Sequence, residues 1–235
     1  MTVLIVTGTG TDVGKTVATA AIASLAGGRV AVVKPAQTGV IDGEPGDLAE
    51  VTRMSGVTDT YEFARYPDPL SPHQAAEISG RPALDFATTA QRIDDLDAEY
   101  DLVIVEGAGG LLVPFDSDSR WTLIDLAHHL NAPLVLVTAP GLGTLNHTQL
   151  TVDRLDEESL ELAGIIIGSW PREPDLAAEF NTYDIRRMCP RRELGGILPA
   201  GMSAMRDFRK QARAALSSRF GGTFDWAVFR ETLHV

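Results

Sequence analysis

A glycine-rich segment near the start of the chain has the composition of a phosphate-binding loop. Residues 8–16 have the sequence Gly-Thr-Gly-Thr-Asp-Val-Gly-Lys-Thr, which follows an apolar run and opens a segment with helical periodicity. Glycines let successive backbone N–H groups face phosphate oxygens, and the helix N-terminus adds a partial positive charge. In such a loop Lys15 reaches the β- and γ-phosphates and the Thr16 hydroxyl ligates Mg²⁺. Five residues rather than the usual four separate Gly8 from Gly14, but the segment still predicts a nucleoside triphosphate site.

Two carboxylates are candidates for holding a cation beside those phosphates. Glu106 ends the apolar run Leu102–Val105 and precedes a Gly-Ala-Gly-Gly turn. Asp47 follows a flexible Gly-Glu-Pro-Gly segment, where the alternative interpretation is a solvated helix N-cap. Mg²⁺ prefers octahedral oxygen ligands and keeps several waters, so one or two carboxylates suffice. We therefore predict metal ligation by Thr16 and Glu106, with Asp47 as a candidate for the second carboxylate.

A lysine lies at the end of the second apolar run, in Lys34-Pro35-Ala36-Gln37-Thr38-Gly39. Lysine is uncommon in this chain, which has three, at positions 15, 34 and 210. Its ammonium would stabilise charge that develops on a transferring phosphoryl group, because phosphoryl transfer depends mainly on positioning and electrostatics. The alternative is a surface lysine that caps a strand.

Other kinds of chemistry have little support. The five histidines lack zinc-ligand spacing, and no Gly-x-Ser-x-Gly sequence indicates a nucleophilic hydrolase. Cys189 is the one cysteine, so no intrachain disulfide can form, and we expect a reducing, cytoplasmic location. The 20 basic and 32 acidic residues give a net charge of -12, which would repel nucleic acid and anionic membranes. We therefore expect neither as a partner.

The apolar runs and the segments between them predict the architecture. Continuous β-branched runs, typical of strands buried on both faces of a parallel sheet, recur at Val3–Val6, Val30–Val33, Leu102–Val105, Leu134–Val137 and Ala163–Ile167. Helical periodicity lies between them at Val17–Leu25, Phe86–Leu96, Leu123–Leu130 and Thr148–Leu155. The alternation predicts an α/β fold, with a doubly wound, mainly parallel sheet that carries helices on both faces, of the P-loop NTPase type. No linker is evident, so residues 1–235 are predicted to form a single domain.

The same architecture predicts where the loops meet. Ser71-Pro72 and Asp85 indicate two helix starts. In an open parallel sheet, ligands bind beyond the carboxyl ends of the strands. The loops at 8–15, 34–47, 106–118, 139–147 and 168–174 are therefore expected to converge on one crevice.

Taken together, the motifs resemble those of the dethiobiotin synthetase family. The matching segments are Gly8–Thr16, Lys34-Pro35 with Thr38-Gly39, Ser71-Pro72-His73, Val105–Gly110 and Gly143–His147. Many ATPases share the phosphate loop, whereas the combination is specific. The resemblance covers about the first 150 residues well and is loose after them.

The resemblance implies an ATP- and magnesium-dependent ring closure in biotin biosynthesis. An amine of 7,8-diaminopelargonate takes up CO₂ as a carbamate, the γ-phosphate of ATP converts it to a carbamic-phosphoric anhydride, and the second amine displaces phosphate to give dethiobiotin. Lys15, Lys34 and Thr11 would be catalytic, with Thr38 as a further hydrogen-bond donor. The resemblance also implies that Thr16, Asp47 and Glu106 hold the magnesium ion.

The resemblance also implies two sets of binding residues. The nucleotide would be bound by Asp12, Val13, Gly14, Lys15, Thr16, Val17, Asp47, Glu106, Gly107, Ala108, Gly109, Gly168, Ser169, Pro199, Ala200 and Gly201. The substrate would be bound by Thr38, Ser71, Pro72, Gly143, Thr144, Leu145 and Asn146. Family members are homodimers in which the loop that is Gly143–Asn146 here holds the substrate carboxylate of the other subunit, at a helix N-terminus.

One departure concerns the base. The family's usual adenine-binding asparagine is replaced by Gly168-Ser169-Trp170, and the facing Pro199-Ala200-Gly201 adds no dedicated side chain. Other nucleoside triphosphates such as CTP are therefore expected to be accepted.

Two further classes remain as alternatives. Regulatory ATPases of the partition and septum-positioning type share the fold, but they carry a lysine five residues before the loop lysine, where this chain has Gly10. A small-molecule kinase would need an arginine-rich lid, and the arginines of the second half leave that interpretation open.

Overall fold

The computed structural model describes residues 3–235, apart from the side chain of Arg192. Within that range the sheet has seven strands, in the order β3-β2-β4-β1-β5-β6-β7, and every strand pairing is parallel. The strands are β1 (Val3–Gly8), β2 (Val30–Thr38), β3 (Thr60–Tyr66), β4 (Leu102–Gly110), β5 (Leu134–Thr138), β6 (Leu162–Trp170) and β7 (Gly196–Pro199). All five strands predicted from the apolar runs are present, and the predicted fold class is confirmed.

Helices cover both faces of this sheet. They are α1 (Lys15–Leu25), α2 (Asp47–Ser55), α3 (Pro72–Ser79), α4 (Phe86–Asp97), α5 (Leu123–Leu130), α6 (Thr144–Glu157), α7 (Leu176–Met188), α8 (Phe208–Ala215) and α9 (Trp226–Phe229). Helices α1, α2 and α8 pack on one face and α3 to α7 on the other. Alternate residues of β1 enter the two cores, with Val3 and Ile5 on one side and Leu4 and Val6 on the other. A strand buried on both faces must be apolar at every position.

Two strands escaped the sequence analysis because neither is a continuous apolar run. Strand β3 lies at the edge of the sheet, alternates polar and apolar residues and is half-buried along most of its length. Strand β7 has four residues. The predicted helix starts are confirmed, since Ser71 precedes α3 with Pro72 in its first turn. The Asp85 side chain accepts a hydrogen bond from the Thr88 N–H at 2.7 Å.

Among the described helices, none combines the length and the apolar composition needed to cross a bilayer.

Candidate active site

The phosphate-binding loop joins β1 to α1, as the sequence predicts. Gly14 precedes the first residue of α1 and has φ 98°, a left-handed conformation that a side chain would strain. The Lys15 ammonium reaches back over the loop and donates a hydrogen bond to the Gly10 carbonyl at 2.7 Å. The Thr9 N–H donates to the Val137 carbonyl at 2.9 Å, which ties the loop to β5.

Beside this loop, a buried cluster joins one lysine to two carboxylates. The Lys34 ammonium lies 2.8 Å from Glu106 Oε1 and 2.6 Å from Asp47 Oδ2. The Thr16 hydroxyl donates to the same Glu106 oxygen at 2.9 Å. Lys34 is 4% exposed and Glu106 is 1% exposed. Four residues from β2, α2, β4 and α1 that the sequence analysis singled out therefore lie in direct contact.

The charges of the cluster shift the pKa values of the two lysines in opposite directions. Burial alone would lower the pKa of Lys34, but the carboxylates of Glu106 and Asp47 outweigh it and raise that pKa above its ordinary value. Burial and the neighbouring Lys34 ammonium lower the pKa of Lys15. Lys34 is thus a protonated group at neutral pH, held between the middle of β2 and the middle of β4.

The donor set of this cluster fits a hard cation. Glu106 Oε2 is buried and has no hydrogen-bond partner, which is uncommon for a buried polar atom. Asp47 is half-buried. Among residues 3–235, no group of three or more histidine, cysteine, aspartate or glutamate side chains is placed to hold a metal. A cation held by Asp47, Glu106 and Thr16 would therefore take its remaining ligands from phosphate and water, which is the coordination that Mg²⁺ accepts.

The cluster and the loop line one cleft with a volume of about 840 Å³. This volume is in the range of small-molecule sites. The predicted site residues that line it are Thr11, Asp12, Gly14, Lys15, Thr16, Val17, Lys34, Thr38, Asp47, Ser71, Pro72, Glu106, Ala108 and Gly109. The other lining residues, to which the sequence analysis assigned no role, are Ala36, Gln37, Gly39, Pro69, Leu70 and Val113. For Ala36 and Gln37, the available signal was their position in the sequence between Lys34 and Thr38, two residues that had been assigned a role.

The segment predicted to meet the base packs behind the phosphate loop. A Cβ on Gly14 would lie 3.5 Å from the Cα of Gly168, and one on Gly168 would lie 2.0 Å from the Val13 carbonyl oxygen. The facing loop is joined to it, because the Ala200 N–H donates to the Trp170 carbonyl at 2.7 Å. This segment therefore lies next to the loop but is not part of the lining of the 840 Å³ cleft.

The 139–147 loop does not line the cleft of its own chain. Three buried threonine hydroxyls join the two ends of this loop. Thr138 Oγ1, at the end of β5, lies 2.7 Å from Thr144 Oγ1 and 2.8 Å from Thr148 Oγ1 in the first turns of α6. The Asn181 amide donates to the carbonyls of Pro140 and Gly141 at 2.9 and 3.0 Å. These bonds leave Leu142 92% exposed and Asn146 exposed. Of the five loops expected to converge, three line the cleft, whereas 139–147 and 168–174 do not.

Comparison with known proteins decides between the families that this site allows. The model of a family described as AAA domain matches residues 2–203. The ATP-dependent dethiobiotin synthetase BioD of Frankia casuarinae is 54% identical, over 98% of this chain and 98% of that protein. The protein of the same name from Rhodococcus jostii is 50% identical over 99% of each chain. The chain belongs to the dethiobiotin synthetase family.

Family membership extends the resemblance beyond the motifs. The similarity runs through the second half of the chain, where the sequence analysis found it loose. The chain is therefore a member of an enzyme family, the ATP-dependent dethiobiotin synthetases, which sets aside the partition-type ATPase and kinase alternatives.

Solved structures share the fold at low identity. A ParA family ATPase from Chlorobium tepidum TLS is 13% identical, covers 94% of this chain and 95% of its own, and has a TM-score of 0.53. The MinC:MinD cell division protein complex of Aquifex aeolicus is 16% identical, covers 90% and 86%, and also has a TM-score of 0.53. These similarities confirm the P-loop α/β fold.

Proposed function

We propose that the protein catalyses the ATP- and magnesium-dependent carboxylation and ring closure of 7,8-diaminopelargonate with CO₂ to dethiobiotin. The observation that carries the proposal is the contact of Lys34 with Asp47 and Glu106, beside Lys15 in one cleft. Membership of the dethiobiotin synthetase family supports the choice of substrates.

The reaction would proceed in three steps. An amine of the substrate adds to the carbon of CO₂ and loses a proton, which gives a carbamate. A carbamate oxygen attacks the γ-phosphorus of ATP and the bond to the bridging oxygen breaks, so that ADP leaves and a carbamic-phosphoric anhydride forms. The second amine attacks the anhydride carbon and loses a proton, phosphate leaves, and the new C–N bond closes the ureido ring. None of these steps requires a covalent bond to the protein.

The phosphate loop would position the triphosphate. Its backbone N–H groups and the N-terminus of α1 are donors for phosphate oxygens. The Lys15 ammonium now bonds the Gly10 carbonyl and would turn to the β- and γ-phosphates. Bound Mg²⁺ would neutralise phosphate charge, and Thr16, Asp47 and Glu106 would hold it.

Lys34 would supply positive charge at the reacting atoms. Its ammonium lies at the floor of the cleft, held by Glu106 and Asp47. A preorganised ammonium stabilises charge on the transferring phosphoryl group without reorganisation during the step. Thr11 and Thr38, which also line the cleft, would donate hydrogen bonds to carbamate and substrate oxygens.

The opposite end of the substrate would require a second chain. Ser71 and Pro72 at the start of α3 line the cleft, whereas Gly143 and Asn146 are exposed and lie outside its lining. We therefore propose a homodimer in which Gly143, Thr144, Leu145 and Asn146 at the start of α6 bind the substrate carboxylate in the neighbouring subunit.

A single assay tests the proposal. The protein is incubated with diaminopelargonate, bicarbonate, Mg²⁺ and ATP, and dethiobiotin is sought by mass. We expect dethiobiotin and phosphate in equal amounts, with phosphate release that depends on the diamine. Phosphate release that only a protein partner stimulates, or a phosphorylated small-molecule product, would overturn the proposal.

We also propose that residues 1–235 act as one P-loop domain in a reducing compartment. The apolar residues of both cores pack on one shared sheet, which supports the first part. Cys189 is buried and its pKa is raised to about 12, chiefly by that burial, which fits an unreactive thiol.

A further inference from the structure

Helix α2 begins without a side-chain cap of its own. Its N-cap residue is Gly46, which has an extended backbone and no side chain to accept a hydrogen bond. The first N–H groups of a helix have no partner within the helix, so an acceptor must come from elsewhere. The first of these groups belongs to Asp47, the residue that carries one of the two carboxylates at Lys34.

Gln37 on the neighbouring strand supplies that acceptor. The Asp47 N–H donates to Gln37 Oε1 at 2.8 Å, and the Gln37 amide nitrogen donates to the Thr38 carbonyl at 3.3 Å. Gln37 is 4% exposed. Because both ends of its amide have partners in a buried place, the side chain holds one orientation.

The close approach of the two segments explains the glycine before Asp47. A Cβ at position 46 would lie 2.6 Å from Gln37 Oε1, closer than real Cβ atoms come to such an atom. Glycine therefore allows the chain to bring the Asp47 N–H onto the glutamine, but it leaves the helix dependent on that glutamine for its cap.

Arg65 on β3 holds the middle of the same loop. Its guanidinium donates to the carbonyls of Ile41 and Glu44 at 3.1 and 2.7 Å, and it is paired with Glu62 at 2.7 Å. The loop between β2 and α2 is therefore fixed by Arg65 along its length and by Gln37 at its end. Of the contacts made by Arg65 and Gln37, the one from Gln37 involves the backbone of Asp47 itself.

We infer that Gln37 is a positioning residue that holds Asp47 at the cation and phosphate end of the cleft. The inference rests on the proposed function, because that function gives Asp47 its role as a cation ligand. Gln37 acts through the Asp47 backbone: if that N–H lost its acceptor, the first turn of α2 would fray and the carboxylate would leave Lys34.

The test compares three variants. Gln37→Met keeps the length and burial of the side chain and removes the acceptor. Gln37→Glu keeps an oxygen at the same position, where the helix N-terminus also favours a negative charge. Gln91→Met is the matched control, because Gln91 is an exposed glutamine on α4 whose amide donates to the Asp95 side chain at 2.9 Å.

The first readout needs neither nucleotide nor metal. Amide hydrogen exchange across residues 44–50 is measured in the free protein. We expect exchange there to rise about fivefold in Gln37→Met, the factor that corresponds to one lost hydrogen bond. Gln91→Met should match the unaltered protein, and Gln37→Glu, which keeps the acceptor but loses the donor to the Thr38 carbonyl, should show a smaller rise than Gln37→Met. Unchanged exchange in Gln37→Met, or an equal rise in Gln37→Glu, would overturn the inference.

The second readout separates positioning from a merely structural role. The Mg²⁺ concentration for half-maximal turnover should rise several-fold in Gln37→Met, while kcat at saturating Mg²⁺ and the metal-free Kd for ATP stay within about twofold. A fall in kcat at saturating Mg²⁺ with no change in the Mg²⁺ midpoint would contradict the inference. If Gln37→Met fails to fold, Gln37→Asn, which withdraws the amide by one methylene, takes its place with the same expectations.

Failure of the proposed function has a different signature. In that case the unaltered protein forms no dethiobiotin, whereas the exchange measurement still reports whether Gln37 caps α2.

Discussion

The Lys34 ammonium lies 2.8 Å from Glu106 Oε1, although 72 positions separate the two residues in the sequence. Strand pairing explains the contact, because β2 and β4 are parallel neighbours with Val33 opposite Val105. The next residue of each strand is then a buried charge, and the two charges are opposite. Two conclusions follow, one for catalysis and one for stability.

For catalysis, we expect Lys34→Ala to lose turnover by about 10²-fold or more, the effect of removing one preorganised donor to a developing charge. Nucleotide binding should persist, because an interaction used mainly in the transition state changes kcat more than ground-state affinity. Steady-state kinetics and ATP calorimetry measure both. Lys210→Ala, at an exposed lysine on α8, is the matched control. A kcat near that of the control would remove Lys34 from the mechanism.

For stability, Lys34 and Glu106 should show strong coupling in the free energy of unfolding. Lys34→Met leaves Glu106 buried without its ammonium partner, and breaking a buried pair from one side costs about 3 kcal/mol. Adding Glu106→Gln removes the uncompensated charge, so the double variant should be more stable to urea than Lys34→Met alone. Additive losses in the urea series would show that the two side chains act independently.

The coupling energy between Lys34 and Glu106 should also be constant with pH over the neutral range. The pKa of Lys34 is raised above the ordinary 10.5 in the folded protein. A raised pKa contributes stability that is fully present below the unfolded value and is lost as the pH rises through the folded value. Urea unfolding at about pH 7 and pH 9 should therefore give the same coupling. A decline between those two values would contradict the raised pKa.

For the cation, we expect Asp47→Ala and Glu106→Ala each to raise the Mg²⁺ requirement, because each removes an oxygen ligand from a hard cation. The effect of Glu106→Ala should be larger, since Glu106 also accepts the Thr16 hydroxyl at 2.9 Å. Asp95→Ala, at an exposed carboxylate on α4, is the control. Magnesium titrations of turnover that coincide for all three variants would exclude both ligands.

Much of this site was predictable because its parts are local. The phosphate loop is contiguous in sequence. Lys34 and Glu106 directly follow apolar runs, and such runs can be recognised as strands without knowing which strands they pair with. Parallel strands present their carboxyl ends at one edge, so residues at the ends of different runs were expected to meet. In the structure Lys34 lies in direct contact with Asp47 and Glu106.

The contacts that position the site were not predictable in the same way. No sequence pattern distinguishes Gln37, and its role depends on how closely the loop between β2 and α2 brings Gly46 and Asp47 to its amide. Asn181 lies 40 positions from the Gly141 carbonyl that it bonds. Edge strand β3, which supplies Arg65, is half-buried and lacks a continuous apolar run. Each of these features follows from tertiary placement rather than from local composition.

A dimer with shared sites should show complementation. We expect Lys15→Ala, and separately a chain with residues 143–146 replaced, to be inactive alone. Mixed after subunit exchange, they should regain activity, because each mixed dimer contains one site with an intact phosphate loop and an intact neighbouring loop. Exchange is verified by mass on tagged chains. Confirmed exchange without regained activity would place the whole site within one chain.

The last prediction concerns the base. A side chain that hydrogen-bonds a base rejects the wrong one strongly, because its buried polar groups would be left unpaired. Here the neighbouring segment offers Gly168 and Ser169, and the facing Ala200 N–H is already bonded to the Trp170 carbonyl. A serine hydroxyl rotates to donate or to accept, so it tolerates more than one base pattern.

The triphosphate, by contrast, would be held by Gly14, Lys15 and Thr16 whatever base is attached. We therefore expect CTP and other nucleoside triphosphates to support binding and turnover within about tenfold of ATP, a gap of roughly 1.4 kcal/mol. Competition calorimetry and kcat/KM for each nucleotide measure the gap. Ser169→Asn should widen it in favour of ATP, because an amide offers a fixed donor and acceptor where the hydroxyl rotates. A discrimination of about a thousandfold or more for ATP in the unaltered protein would falsify this expectation, and it would mean that backbone groups of 168–170 and 199–201 already form a fixed pattern for adenine.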